Sequence, residues 1–197
     1  MKLITLFTLF MFSGCTTVRP PIQEYRLNPK VEQSALQKSS YSEKSLKVAQ
    51  AFSSSALMTN EMSYAYGDYS SDIFRQSQWA ESPNKAITAQ ILNILQKSNL
   101  FKNVQISKSR SKSGLVLETN IEEFMQYFSE DENSSLAKVA LNVTIIDATK
   151  NTVLHSKTFS QSVKVYSLNA KGGVIALNQG LSNVLIQIRD WLSEICK

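Results

Sequence analysis

An apolar stripe near the C-terminus is the feature that most limits how this chain can fold. Between positions 177 and 195, apolar residues recur mainly at steps of three and four, which is the spacing of one face of an α-helix. Asn169 is a suitable N-cap for this helix, although Gly172 and Gly173 are unfavourable in a first turn. A helix with one long apolar face needs a sheet or another helix to cover it. The stripe consists of Leu177, Leu181, Val184, Leu185, Ile188, Leu192 and Ile195.

Three segments before this helix alternate between apolar and polar residues, as half-buried strands do. The alternation is clearest over residues 138–145 and is also present over 153–165. Residues 115–128 predict a longer strand, but its apolar phase changes at Glu123, so we expect a bulge near Glu122 and Glu123. Because short connections join the three segments, they predict an antiparallel meander.

The first half of the chain predicts a hairpin and a second amphipathic helix. Residues 62–66 and 72–79 are candidate strands on either side of a turn. Ser82 and Pro83 form a favourable helix start, and apolar residues then continue on one face towards a left-handed stop at Asn99. We therefore predict an α+β fold, in which a mostly antiparallel sheet has two amphipathic helices packed on one face.

The N-terminus predicts export and attachment of a lipid. Lys2 precedes a largely apolar stretch at residues 3–12, which is too short to span a bilayer and fits the core of a signal peptide. Ser13, Gly14 and Cys15 follow directly and resemble a bacterial lipobox. Signals of that kind are cleaved before the cysteine, whose thiol then receives a diacylglycerol. The alternative is an ordinary signal peptide followed by a chance cysteine.

These features divide the chain into three parts. We predict a lipoprotein signal peptide at 1–14, a lipidated cysteine and tether at 15–45, and an α+β domain at 46–197. The tether is rich in Ser, Lys and Gln and contains helix-breaking prolines. Within it, the alternation at 22–27 predicts an edge strand docked on the domain.

Composition excludes several classes of function. One His and two Cys cannot complete a four-ligand Cys/His zinc site, and no Walker loop, GxGxxG, HExxH or GxSxG motif is present. Nothing in the sequence marks a catalytic partner for His155, so we expect it on a strand surface. Loss of residues 1–14 lowers the formal net charge of +5 by one unit, and export makes nucleic acid a poor partner for this small excess. If Cys15 is acylated, Cys196 is the remaining thiol, either free or paired between molecules.

The order of the elements and five short motifs resemble the ABC-type transport auxiliary lipoprotein family. The resemblance extends over roughly residues 22–195. The chain departs from the family at Ser82, where a proline or another residue is usual, and at Ser113-Gly114, where an aspartate is frequent. The matching motifs are Ser13-Gly14-Cys15, Tyr25-Arg26-Leu27, Trp79-Ala80-Glu81-Ser82-Pro83, Ile121-Glu122-Glu123-Phe124 and Trp191-Leu192.

The resemblance implies a non-enzymatic periplasmic lipoprotein, without metal or cofactor, that accompanies MCE-domain lipid transporters of the Mla and Pqi kind. Its partners would be the MCE-domain subunit and the associated ABC permease and ATPase, in phospholipid traffic between the inner and outer membranes. Thr16, rather than an aspartate, follows the lipidated cysteine, which favours the outer membrane under the enterobacterial sorting rule. Two other functions stay open: a carrier of lipid or lipopolysaccharide, and a structural envelope lipoprotein that assists an export machine.

Aromatic and basic residues are the candidates for a partner surface. Interfaces are built around buried aromatic anchors with a polar rim, although core packing and a solvated loop are the simpler explanations of these residues. A filled core with an exposed aromatic patch or free sheet edge would favour the adaptor, and an apolar cavity would favour the carrier. The candidate anchors are Tyr64, Tyr66 and Trp79, and the candidate rim charges are Lys108, Arg110 and Lys112.

We predict that Cys15→Ser leaves the protein unprocessed or soluble. Several acyl chains together, at about 0.8 kcal/mol per buried CH₂, hold a protein firmly on a bilayer, and the variant has no thiol to carry them. Mass spectrometry of the mature N-terminus measures the modification, and Cys196→Ser serves as the control that keeps it. An unmodified N-terminal residue in the wild-type protein would contradict the prediction.

Overall fold

A single sheet of nine strands organises the part of the chain that the computed structural model describes, residues 20–32, 40–67 and 69–195. Helix α1 spans Pro83–Ser98 and helix α2 spans Ala170–Ile195, and a short 3₁₀ turn lies at Ser55–Met58. The strands are β1 (Gln23–Tyr25), β2 (Ser45–Val48), β3 (Phe52–Ser53), β4 (Glu61–Tyr66), β5 (Ser70–Trp79), β6 (Asn103–Ile106), β7 (Leu115–Phe128), β8 (Ser135–Asp147) and β9 (Thr152–Lys164).

Strand β7 is the centre of the sheet. One of its edges pairs with β8 in antiparallel register along its whole length, and β8 pairs with β9 in the same way, so the predicted meander is confirmed. The other edge pairs in turn with β2, β3 and β4, which follow one another along it from Leu115 to Phe128. The predicted hairpin of β4 and β5 is also present.

The prediction of a mostly antiparallel sheet is only partly right, because the sheet is mixed. Strands β2, β3 and β4 all run parallel to β7, β6 runs parallel to β2, and β1 runs parallel to β5. The physical reason is the order of connections. The chain runs along one edge of β7 as three short strands, β2, β3 and β4. The connection through β5, α1 and β6 then brings the chain back to the end of the sheet at which β2 begins, and β7 starts there too.

The predicted bulge in β7 lies at Glu122. Ile121 is opposite Leu141 and Glu123 is opposite Ala140, so Glu122 has no partner in the ladder. This extra residue restores the apolar phase. Buried side chains therefore face the helices on both sides of the bulge, from Leu115 to Phe128.

The helix ends agree with the sequence prediction in position. Ser82 is the N-cap of α1 and Pro83 its first residue, although the Ser82 hydroxyl is buried and makes no capping hydrogen bond. Asn99 ends α1 in the left-handed region at φ 57°. Before α2, the Asn169 side-chain oxygen accepts a 2.9 Å hydrogen bond from the Gly172 N–H, as an N-cap does.

The two helices cover the same face of the sheet and close one apolar core. Neither of them, among the residues with described positions, has the length and apolar composition of a membrane-crossing helix. Residues with side chains of less than 2 % exposure come from both the sheet and the helices. The largest are Leu46, Ile87, Ile91, Leu95, Leu100, Leu115, Leu117, Leu141, Ile145, Leu181, Leu185 and Ile188.

We predict that Leu185→Ala lowers the free energy of unfolding by about 2–5 kcal/mol, the usual range for removing a fully buried leucine side chain. Leu185 is 1 % exposed in the centre of α2, whereas Ile175 on the same helix is 60 % exposed. The matched variant Ile175→Ala should therefore change stability by less than about 0.5 kcal/mol. Urea denaturation measures both, and equal effects would mean that the assigned buried face of α2 is wrong.

Candidate interaction surfaces

In the described residues, buried side chains fill the layer between the sheet and the helices. The four cavities described measure about 470, 520, 320 and 450 Å³. The cavity of about 470 Å³ lies between α1, α2 and the N-terminal segment, and that of about 320 Å³ lies between this segment and the start of α1. One lies at the start of α2, and one lies on the sheet face that carries no helix. A site for acyl chains between sheet and helices would need space that the buried leucines and isoleucines occupy.

Four aromatic rings gather where β4, β5 and β7 meet. The Tyr64 ring centroid lies 5.3 Å from that of Tyr66, 4.4 Å from that of Phe74 and 5.5 Å from that of Phe128. Tyr64 and Tyr66 point the same way because they are two residues apart on one strand. Burial, followed by the nearby Asp72 carboxylate, raises the pKa of Tyr64 above 10.0, so its hydroxyl stays uncharged at neutral pH.

More aromatic and apolar surface surrounds these rings. Tyr69, in the turn between β4 and β5, is 100 % exposed. Tyr166 is 88 % exposed and follows Val165, whose N–H bonds to the Ser135 carbonyl oxygen beside the end of β7. We call this surface the aromatic end; it consists of Tyr64, Tyr66, Tyr69, Phe74, Phe128, Tyr166 and Leu168.

The other residues that the sequence suggested for a partner surface lie elsewhere. Trp79 is 4 % exposed and packs 5.9 Å from Phe124 between ring centroids, so it belongs to the core and not to a surface patch. Trp79 is buried because it is the last residue of β5 and lies directly opposite Tyr25 of the edge strand β1. The structure therefore brings Tyr64 and Tyr66 together but separates them from Trp79.

The basic turn, residues 108–112, lies at the opposite end of β7 from the aromatic end. It precedes β7, and the Ser109 carbonyl oxygen accepts a 2.9 Å hydrogen bond from the Lys47 ammonium group. Lys108, Arg110 and Lys112 are all exposed there. They cannot form the rim of a surface centred on Tyr66, which pairs with the last residue of β7.

Two positive charges beside the aromatic end were missed at the level of sequence. Arg75 and Lys171 line the cavity of about 520 Å³ at the start of α2, together with Phe74 and Leu168. Arg75 belongs to β5 and Lys171 to α2, so only the packing of the helix start against the hairpin brings them together. The one sequence signal that could have pointed here is Leu168, an apolar residue directly before the Asn169 cap.

Strand β9 forms a free edge of the sheet. It has 13 residues and, in the described part of the chain, pairs only with β8. Its free side therefore carries backbone N–H and C=O groups that could bind a further strand. His155 lies on this strand and is exposed, as expected. The described residues contain no group of three or more His, Cys, Asp or Glu side chains arranged for a metal.

The model of the ABC-type transport auxiliary lipoprotein component matches residues 25–189. This range includes every strand and helix described except the first two residues of β1 and the last six residues of α2. The chain belongs to this family. The match also agrees with the resemblance found in the sequence motifs.

Solved structures share the fold of this auxiliary lipoprotein. The Xanthomonas campestris protein XCC0632 is 15 % identical, with a TM-score of 0.75 and coverage of 88 % of this chain and 96 % of that one. An uncharacterised protein is 15 % identical, with a TM-score of 0.66 and coverage of 88 % and 99 %. At this identity the two show the fold alone. No curated protein sequence matches the chain.

The auxiliary lipoprotein holds part of its predicted tether firmly against the helices. Residues 26–32, which we call the strap, leave β1 and lie along α2, so this stretch of the expected tether at 15–45 is docked on the domain. The Asn28 N–H donates to the Asn178 side-chain oxygen at 2.6 Å, and the Ser182 hydroxyl donates to the Lys30 carbonyl oxygen at 2.7 Å. Apolar packing adds to these bonds, because Leu27 is buried in the core.

Arg189 fastens the C-terminal part of the strap. This side chain is buried, yet its guanidinium group donates to the Glu32 carbonyl oxygen at 3.0 Å and pairs with the Asp190 carboxylate at 2.7 Å. A buried charge is tolerated because both interactions offset its loss of water. The strap and α2 are about 150 residues apart in sequence, which is why the tether composition did not predict the contact.

We predict that Arg189→Met loosens the strap and lowers the free energy of unfolding by about 1.5–3 kcal/mol, the usual contribution of a hydrogen bond to a charged group. Hydrogen exchange in residues 26–32 should become faster than in the rest of the protein. Asp190→Asn is the comparison variant: it leaves the Glu32 bond and an amide oxygen beside the guanidinium group, so stability should fall less and exchange in the strap should stay slow. Equal effects of the two variants would show that the ion pair, rather than the strap contact, matters.

Proposed function

We propose that this protein is a lipid-anchored periplasmic auxiliary subunit of an MCE-type ABC lipid transport system. In this role it acts as a binding module, or adaptor, in phospholipid traffic between the inner and outer membranes, and it catalyses no reaction. Membership of the transport auxiliary lipoprotein family supports the general role. The proposed lipid site, Cys15, and the signal peptide lie outside the described residues. Thr16 after the cysteine supports attachment to the outer membrane rather than the inner one.

The filled core is the observation that carries the adaptor function. A lipid carrier needs an enclosed apolar volume of several hundred Å³. Here the helix face that could enclose a ligand is occupied by side chains such as Ile91, Leu181 and Ile188, which pack directly against the sheet. Because emptying this layer would expose the whole core, the carrier alternative has little structural support.

The free edge of β9 is the surface that best fits a protein partner. An added strand gains backbone hydrogen bonds along the edge, and the neighbouring side chains set its specificity. Lys157 and Lys164 stand on this strand, and charged residues on an edge discourage unselective pairing. A long, selectively protected edge is suited to one defined partner, for which we propose the MCE-domain subunit and its associated permease and ATPase.

The test is site-specific photo-crosslinking in intact membranes that contain the full-length chain. With a benzophenone side chain in place of Ser160, exposed on β9, we expect a covalent adduct with the MCE subunit. The matched control carries the same group in place of Gln187, which is exposed on the outer side of α2. That position should give little or no adduct.

Two results would contradict the proposed function. Equal adducts from both positions would exclude a β9 interface. Absence of any envelope partner, together with native mass spectra that show stoichiometric phospholipid on the purified chain, would establish a carrier in place of an adaptor.

A further inference from the structure

The N-terminal segment enters the sheet from the side of the aromatic end. Strand β1 is parallel to β5, with Gln23 opposite Ser77, so the chain before Gln23 comes from the side on which β5 begins. Ser70, the first residue of β5, is about 23 Å from Ser77 along the strand. Cys15 is eight residues before Gln23 and can reach at most about 28 Å from it. The aromatic end is therefore within reach of the anchor.

The strap keeps the other end of the molecule away from the anchor. It starts beside β1 and follows α2 through Asn178, Ser182 and Arg189, away from the helix start. While these bonds hold, residues 23–32 stay on the domain and cannot lengthen the tether. The basic turn lies at the far end of β7, a strand of 14 residues or about 46 Å. An anchored chain thus presents the aromatic end to the bilayer.

The exposed side chains at this end suit the boundary between lipid and water. Tyr69 and Tyr166 are almost fully exposed, and Leu168 is exposed as well. Tyrosine is enriched at membrane interfaces because its ring is apolar and its hydroxyl can form hydrogen bonds with water and lipid headgroups. A protein surface in free solution gains nothing from such a cluster, whereas contact with a bilayer would bury it.

A cavity beside the aromatic rings has the charge that a phospholipid headgroup requires. Arg75 and Lys171 line it with Phe74 and Leu168, so two cations stand next to apolar side chains within about 520 Å³. The start of α2 also lines the cavity and adds partial positive charge from its helix dipole. A lipid phosphate at the cations would place its glycerol and upper acyl carbons beside the rings.

We infer that the aromatic end rests on the phospholipid headgroup layer of the membrane that holds the anchor, with Arg75 and Lys171 on lipid phosphate. This inference depends on the proposed lipid at Cys15. The loop between β7 and β8 carries Glu130, Asp131 and Glu132 at the same end. Contact between the aromatic end and the membrane therefore relies on burial of the aromatic rings and on Arg75 and Lys171. It does not rely on the net charge of this end of the molecule.

The first experiment measures how deeply a labelled residue lies in the bilayer, with an environment-sensitive fluorophore attached to the acylated full-length chain. It is reconstituted in vesicles of phosphatidylethanolamine and phosphatidylglycerol at a ratio of about three to one, in a Cys196→Ser background. A label at Ser70→Cys, beside Tyr69, should shift to the blue and be quenched by spin-labelled lipid. A label at Thr149→Cys, exposed in the turn between β8 and β9, should report water.

The second experiment compares two charge variants of the chain labelled at Ser70→Cys. Arg75→Gln should reduce the ratio of docked to undocked protein about fivefold, which is the effect of one basic residue near an anionic surface. Lys108→Gln removes the same charge from the basic turn and should leave the ratio within about twofold of the parent.

The outcomes separate this inference from the proposed function. A chain that fails to float with the vesicles has no anchor, and both ideas then fail. A chain that floats while both labels report water is anchored but not docked, and only the docking is wrong. If the Ser70 label is protected only when the MCE subunit is present, the aromatic end binds protein, and docking on lipid is again excluded.

Discussion

The bulge at Glu122 is the constraint on which the rest of the structure depends. Strand β7 is the only element in the described residues that pairs with four other strands, and its helix-side face must stay buried over 14 residues. Side chains alternate with a period of two, so without the extra residue the second half of β7 would turn Phe124 and Phe128 to the open face. With it, Leu115 and Phe128 lie on the same face, and one continuous surface receives both helices.

Local patterns explain why much of this could be predicted. The bulge follows from a change of apolar phase, which depends on neighbouring residues alone, and so do the ends of α1 at Ser82 and Asn99. Asn169 was predicted as a cap in spite of the glycines that follow it. The structure explains those glycines: a side chain at Gly172 would meet the Ser167 carbonyl oxygen at 1.9 Å, and one at Gly173 would meet Gln126 at 2.0 Å. The helix start is packed too closely for anything larger.

Contacts between distant parts of the chain explain what could not be predicted. The strap bonds to α2 largely through its backbone, so its mainly polar sequence with the helix-breaking Pro29 has the composition of a tether. The parallel pairing of β2, β3 and β4 with β7 depends on connections through α1. The alternation of apolar and polar residues within a strand does not indicate the direction of its neighbour. For the same reason Trp79 and Tyr66 could not be separated in advance. Both are aromatic residues on neighbouring strands, and only the pairing of Trp79 with β1 and its packing on Phe124 make it part of the core.

The proposed anchor and docking would fix the direction of the molecule on the membrane, and the free edge of β9 would then be presented in a defined way. The strands from β7 to β9 begin or end at the aromatic end, so with that end on the bilayer they stand away from the membrane rather than along it. The edge of β9, 13 residues or about 43 Å long, then faces sideways at a defined height. A partner that extends from a membrane can pair with such an edge without releasing the anchor. Because the strap holds residues 26–32 against α2, only the residues before β1 would separate the proposed anchor from the folded domain.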